Sequence, residues 1–140
     1  MVHFKTLDNG IRLVVKRMEG LMSVSMGVLV GTGANVESDE EDGISHFIEH
    51  MMFKGTQKRS AFAISDEMDR IGAQTNAFTG KDLTCYYAKS TTENAAKAFE
   101  ILADLFLNST FPEDEMAREK GVIIEEISMN EDTPDDLCLD

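Results

Sequence analysis

Residues 46–53 read HFIEHMMF, a run that places two of the chain's three histidines and a glutamate within five positions. An α-helix advances about 100° per residue, so His46 and His50 share a face, roughly 40° apart and one turn apart in height. Two imidazole nitrogens so placed can reach one divalent ion. Glu49 lies on the flank of that face, close enough to meet a ligand of the ion.

The order is H-x-x-E-H, the reverse of H-E-x-x-H, and both orders occur among zinc peptidase signatures. Two histidines leave such a site incomplete, because a catalytic zinc takes three protein ligands and keeps a fourth position for water. The third candidate comes from REKGVIIEEI, residues 118–127. Glu126 shares its face with Val122 and Ile123, so its carboxylate is expected to point toward the apolar interior. There a metal would relieve the cost of a buried charge. Glu119, two turns earlier on the same face, could accept a hydrogen bond from a ligating imidazole and fix its orientation. Glu125, about 100° round, reads as a solvated charge, and a register error of one residue would exchange it with Glu126. Two blander readings stand beside this one. Histidines on an amphipathic helix can simply pack at the edge of a core. A structural metal site would need a fourth protein ligand, from His3 or Cys85, and nothing in their spacing suggests one.

Helices must present these side chains, and the chain supplies them between strands. Phe4–Leu7 and Ile11–Met18 flank Asp8-Asn9-Gly10, which reads as a hairpin with a type I′ turn. Ser23–Val30 alternates and then runs apolar, as a strand entering the interior does. The acidic loop ESDEEDG, residues 37–43, suits the positive N-terminus of a helix from Ile44 to about Phe53, which Gly55 stops. Ser60 is the expected N-cap of a helix over Ala61–Ile71, with Ile64, Met68 and Ile71 on one stripe and Gly72 behind it. Ala73–Thr79 and Leu83–Lys89 read as strands around Gly80-Lys81-Asp82. Ser90 and Glu93 have capping-box spacing ahead of a helix whose stripe is Ala95, Ala98, Phe99, Leu102 and Phe106. Pro112 fits the first turn of a last helix reaching about Asn130. The order β-β-β-α-α-β-β-α-α predicts an α+β fold, a mostly antiparallel sheet with helices packed on one face. After the last helix, DTPDDLCLD shows no strand pattern.

With 140 residues, 42% hydrophobic and 28% charged, the chain has the composition of one globular domain with a real core. A net charge of −13 argues against nucleic acid as a partner, since phosphate binding relies on basic clusters, and it permits attraction to basic peptides. No stretch approaches the ~18 apolar residues of a membrane-spanning helix. Cys85 and Cys138 form no CxxC pair and read as free thiols. The opening MVHFKTLDNG has no apolar signal core and no Arg-rich leader, so the cytoplasm is the expected location. A leader removed earlier would leave no trace, which keeps an organelle compatible too.

Four segments, "TLDNGIRLVV", "VGTGANVESDEEDGISHFIEHMMFKGT", "NAFTGKDLTCYYA" and "REKGVIIEEISMNEDTPDD", resemble in type and order those of the pitrilysin-type zinc peptidases, family M16. The likeness is strongest to the branch of mitochondrial processing peptidases and their bacterial relatives, and it covers nearly the whole chain. It implies one zinc ion held by His46, His50 and Glu126, with Glu49 as catalytic base and Glu119 as a supporting acid. It also implies that an extended peptide or leader segment binds along an edge strand containing Asn76-Ala77-Phe78, with Phe53 and Phe78 walling a pocket beside the scissile bond. Members of the family are much longer: the first αβ half continues, and a second half faces the zinc and helps to hold the substrate carbonyl. The expectation is therefore an N-terminal, zinc-binding piece, residues 1–140, that self-associates or pairs with a second M16 half or subunit. The parent protein is expected to be a zinc metalloendopeptidase and the isolated piece weakly active or inactive. The rival expectation is a non-catalytic M16-like subunit that binds peptides or scaffolds an assembly.

Overall fold

The computed structural model describes residues 1–131. Cys138 and the tail 132–140, read above as lacking a strand pattern, lie outside the described residues. Among the described residues, five strands and four α-helices run in the order β1 (Val2–Thr6), β2 (Arg12–Lys16), β3 (Ser23–Val30), α1 (Ile44–Met52), α2 (Ala61–Arg70), β4 (Gln74–Thr79), β5 (Thr84–Thr91), α3 (Ala95–Asn108) and α4 (Glu113–Glu131), with a 3-10 turn at Ala34–Val36. This is the expected α+β order.

The strands form two antiparallel sheets, a β1-β2 hairpin and a three-stranded sheet in the order β3-β5-β4. Alternation sorts the larger sheet's side chains. Met26, Ala88 and Thr75 are aligned across its strands, as are Val28, Tyr86 and Ala77. Of these, Met26, Ala77, Tyr86 and Ala88 meet Met52 of α1, Ile64 and Met68 of α2, and Ala98, Ile101, Leu102 and Leu105 of α3 in one core. Burying this face is the dominant stabilising term. The opposite face, with Leu29 and Phe78, stays open to solvent. Helix α4 lies against α1.

Glu37 shows why α1 begins where it does. Its carboxylate accepts from the N–H groups of Gly43 and Ser45, both at 2.7 Å, and so caps the helix with a negative charge. Hydrogen bonds from the Ser45 side chain and backbone hold the Glu37 carboxyl below its ordinary value. Ser60 caps α2 as expected, its hydroxyl accepting from Ala63 N–H at 3.2 Å.

Four local expectations fail, each for a physical reason. The Asn9-Gly10 turn is not type I′, which needs positive φ at both central residues. Only Gly10 has it, at 87°, and Gly10 N–H bonds to Leu7 O while Leu7 N–H bonds to Ile11 O. The loop is a type I turn followed by a glycine bulge. The Ser90–Glu93 capping box does not form, because β5 runs on to Thr91 and keeps Ser90 in the strand. Asn94 holds the N-cap position of α3 without a side-chain cap, and its amide donates to Ile71 O at 2.9 Å. The buried face of α3 is centred on Ala98, Ile101, Leu102 and Leu105, with Phe99 56% exposed. That rotation carries Asp104 inward, where Arg59 bonds it at 2.6 Å. Finally, Pro112 stands just ahead of α4 and accepts from Met116 N–H through its carbonyl.

Candidate metal centre

Helix α1 lays His46 and His50 side by side, with Nε2 atoms 3.2 Å apart, and α4 brings Glu126 across to them. Glu126 Oε2 lies 3.5 Å from His50 Nε2 and 3.8 Å from His46 Nε2. Donor atoms 2.0–2.2 Å from a tetrahedral zinc stand about 3.3 Å from one another, so this spacing fits the ion. Among the described residues, this is the one group of three histidine, cysteine, aspartate or glutamate residues with ligand atoms all within 4.8 Å of one another. Neither His3 nor Cys85 belongs to it. Glu125 is exposed and stays outside, which separates the two adjacent glutamates.

The donor set fits chemically as well. Glu119 is 5% exposed, and its Oε2 lies 3.0 Å from His50 Nδ1 while Lys54 Nζ sits 2.5 Å from its Oε1. Burial pushes the Glu119 carboxyl up, but Lys54 and His50 more than offset this and hold it below the ordinary 4.5. An ionised carboxylate only accepts, so His50 Nδ1 carries the hydrogen and Nε2 presents its lone pair to the centre. A lone pair facing a second imidazole nitrogen and a carboxylate oxygen is repulsive unless a proton or cation sits among them. The residues present can hold a divalent zinc.

One expectation changes. Glu126 does not point into an apolar interior: its side chain is 44% exposed and that of His46 41%. It is α4 lying over α1, rather than burial, that directs the carboxylate to the histidines.

Glu49 sits beside this group on α1, and its Oε2 accepts from the Thr79 hydroxyl at 2.6 Å. Burial, and then the charge of Glu49, push the Tyr86 phenol up to about 12. A cleft of about 220 Å³ is lined by Glu49, His50, Phe53, Lys54, Asn76 and Glu119. Of the residues expected at the peptide, Phe53 and Asn76 line this cleft. Ala77, on an edge strand, is buried in the core, and its N–H donates to Asn76 Oδ1 at 2.9 Å. Phe78 faces the other way, half exposed and tilted against Tyr87 at 6.5 Å between ring centroids. It is not among the residues that line the cleft with Phe53, although Asn76, two positions earlier on the same strand face, is.

Sequence reasoning missed Lys54 and Thr79. Lys54 had a weak signal, a cation four residues after His50, although it stands beyond the end of α1. Thr79 had only its inward parity in β4, since nothing local shows that Glu49 lies above it.

The model of the insulinase group, peptidase family M16, matches residues 12–140, and the chain belongs to that family. It is 51% identical over its whole length to the uncharacterized zinc protease YmxG of Bacillus subtilis, covering 34% of that protein. Over 135 residues it is 39% identical to a probable mitochondrial-processing peptidase subunit beta of Arabidopsis thaliana, covering 96% of this chain and 25% of that one. A crystal structure of a protease from Helicobacter pylori superposes with a TM-score of 0.92 at 29% identity, over 98% of this chain and 33% of that one. The peptidase M16 inactive domain from Pseudomonas fluorescens, with a TM-score of 0.88 at 18% identity, shares the fold. The chain thus spans about a third of the length of the relatives it matches, or less.

Proposed function

We propose that this chain is the zinc-binding part of a metalloendopeptidase that cleaves extended peptides or leader segments, with His46, His50 and Glu126 as the ligands. The observation carrying this reading is the convergence of three donor atoms at tetrahedral spacing beside a carboxylate that is not one of them. Zinc, when bound, supplies an acidified water and a positive charge for the developing oxyanion. The chain's own groups do the rest. Glu49 takes the proton of the attacking water and delivers it to the leaving amine. Glu119 holds the His50 ring through Nδ1–H. The free edge of β4 pairs with the peptide backbone, a recognition mode that reads main chain first, and the cleft beside Phe53 takes one side chain.

A second reading applies to the 140 residues taken alone: a peptide-binding or scaffolding piece with little turnover. The half-exposed ligands favour it, because nothing among the described residues covers the centre and excludes water. Pairing with a second M16 half or subunit would close the site.

Metal analysis tests the ligand set. Wild type is expected to retain one zinc per chain, and His46→Ala and Glu126→Gln to lose it. Equal zinc in all three would remove the assignment.

A further inference from the structure

Three threonines connect the sheet to Glu49. Thr79 ends β4 and Thr84 begins β5, paired across the tight turn in which Gly80 N–H bonds to Leu83 O. Thr84 is 2% exposed, and its hydroxyl donates to Thr32 O at 2.9 Å, a better acceptor position than Thr79 Oγ1 at 3.4 Å. Its single proton is therefore spent on Thr32. Thr79 has three acceptors to choose between, Glu49 Oε2 at 2.6 Å, Thr84 Oγ1 at 3.4 Å and Ser45 O at 3.5 Å. The shortest contact, to a carboxylate, is the charge-assisted one and takes the proton. The direction of donation is thus fixed from Thr84 outward: Thr84 to Thr32 O, Thr79 to Glu49.

We propose that Thr79 is a positioning residue for Glu49, its hydroxyl holding Oε2 against the end of β4 so that Oε1 is the oxygen offered to the attacking water. This rests on the reading of Glu49 as the base. An unrestrained glutamate on a helix surface samples several rotamers, and each fixed χ angle costs entropy. Proton abstraction needs the carboxylate within hydrogen-bond reach of the water at the moment of attack. A donor on the far oxygen supplies that restraint without blocking the near one. Because β4 also presents the expected peptide edge, the strand that aligns the substrate would also aim the base.

Two measurements test this. Crystal structures of the chain with Thr79→Val, Thr79→Ala and Thr79→Ser are expected to show Glu49 displaced from residue 79 in the first two and held in the third. In the protein at its relatives' full length, Thr79→Val should lower kcat roughly 10- to 100-fold, the range for losing the partner of a site residue, with KM and zinc content unchanged. Thr79→Ser should restore kcat. The proposal is overturned if Glu49 keeps its place in both the valine and alanine variants. It is also overturned if the valine variant turns over at the wild-type rate, or if its loss comes with loss of zinc. A wild-type protein that binds no zinc and cuts no peptide would instead sink the peptidase reading, and the crystal structures would still decide what holds Glu49.

Discussion

Glu119 answers to two partners at once, with Lys54 on one oxygen and His50 on the other. Replacing Lys54 by methionine leaves that buried carboxylate with one partner. Unfolding in urea at neutral pH is expected to show a loss of roughly 1–3 kcal/mol, the range for an unsatisfied buried polar group. Glu49 behaves differently, since it is not among the three converging donors. Glu49→Gln keeps the shape of the side chain and removes the base. Zinc content should stay at the wild-type level, while peptide cleavage by the full-length protein falls roughly 100- to 10,000-fold. Cleavage at the normal rate would exclude Glu49 as the base. At this scale the sequence was most informative where the geometry is local. The i,i+4 spacing of His46 and His50 is a property of any helix, whereas Lys54 lies just past the end of α1 and reaches Glu119 from there. The bond from Thr79 to Glu49 depends on how a helix sits over a strand 30 residues later, which no local spacing encodes.

Among the elements, the segment between α1 and α2 is tied to α2 and α3 by charge. Arg59, in the segment after α1, bonds Asp104 and Glu100 of α3 and Glu67 of α2. Asp104 also accepts from Thr56 and Asn108. Burial pushes the Asp104 carboxyl up, but Arg59, Thr56 and Asn108 more than offset it, so its folded value lies below the ordinary 3.8. A depressed carboxyl contributes stability that is fully present above its unfolded value and is lost as pH falls through the folded one. Glu67 and Glu100, also lowered from 4.5 with Lys97 as the first cause, act in the same direction. Thermal unfolding midpoints should therefore hold steady from pH 7 to about 5 and decline below about 4. Asp104→Asn removes the buried partner of Arg59 and is expected to cost about 3–5 kcal/mol at neutral pH. It should also flatten the acid decline, and an unchanged profile would show that Asp104 titrates normally. The apolar period predicted that α3 exists but placed its stripe one position off. An exposed Phe99 and a buried Asp104 contradict simple hydrophobic patterning, and the aspartate is inside only because an arginine from another segment meets it there.

The whole molecule leaves much apolar surface uncovered. The β1-β2 hairpin is exposed along both strands, with Phe4 77% and Val14 57% accessible. Leu29 and Phe78 lie open on the larger sheet, and Ile124 and Ile127 on α4. A two-stranded hairpin is marginal by itself, and patches of this kind mark surfaces that associate. The 140-residue chain is therefore expected to self-associate. With a net charge of −13, copies repel at low ionic strength, so the mass seen by light scattering should rise as salt is added. A monodisperse monomer at high concentration in high salt would contradict this. The α+β class and the order of elements were legible because periods of 2 and 3.6 residues are written along the chain. The division into two separate sheets was not, because strand pairing is decided by contacts between distant segments.

Gly33 has extended backbone that any residue could adopt, yet a methyl group there would overlap the carbonyl oxygens of Gly80 and Lys81. The contact keeps residues 31–35 against the β4-β5 turn, and with them the Thr32 oxygen that receives the Thr84 proton. A bulkier residue at position 33 would push that oxygen away and free Thr84 to compete for its neighbour's lone pairs and proton. Filling one methyl group's worth of room, on a loop with no place among the converging donors, would thus slacken the grip on Glu49. Losing activity while keeping metal would be the mark of that injury.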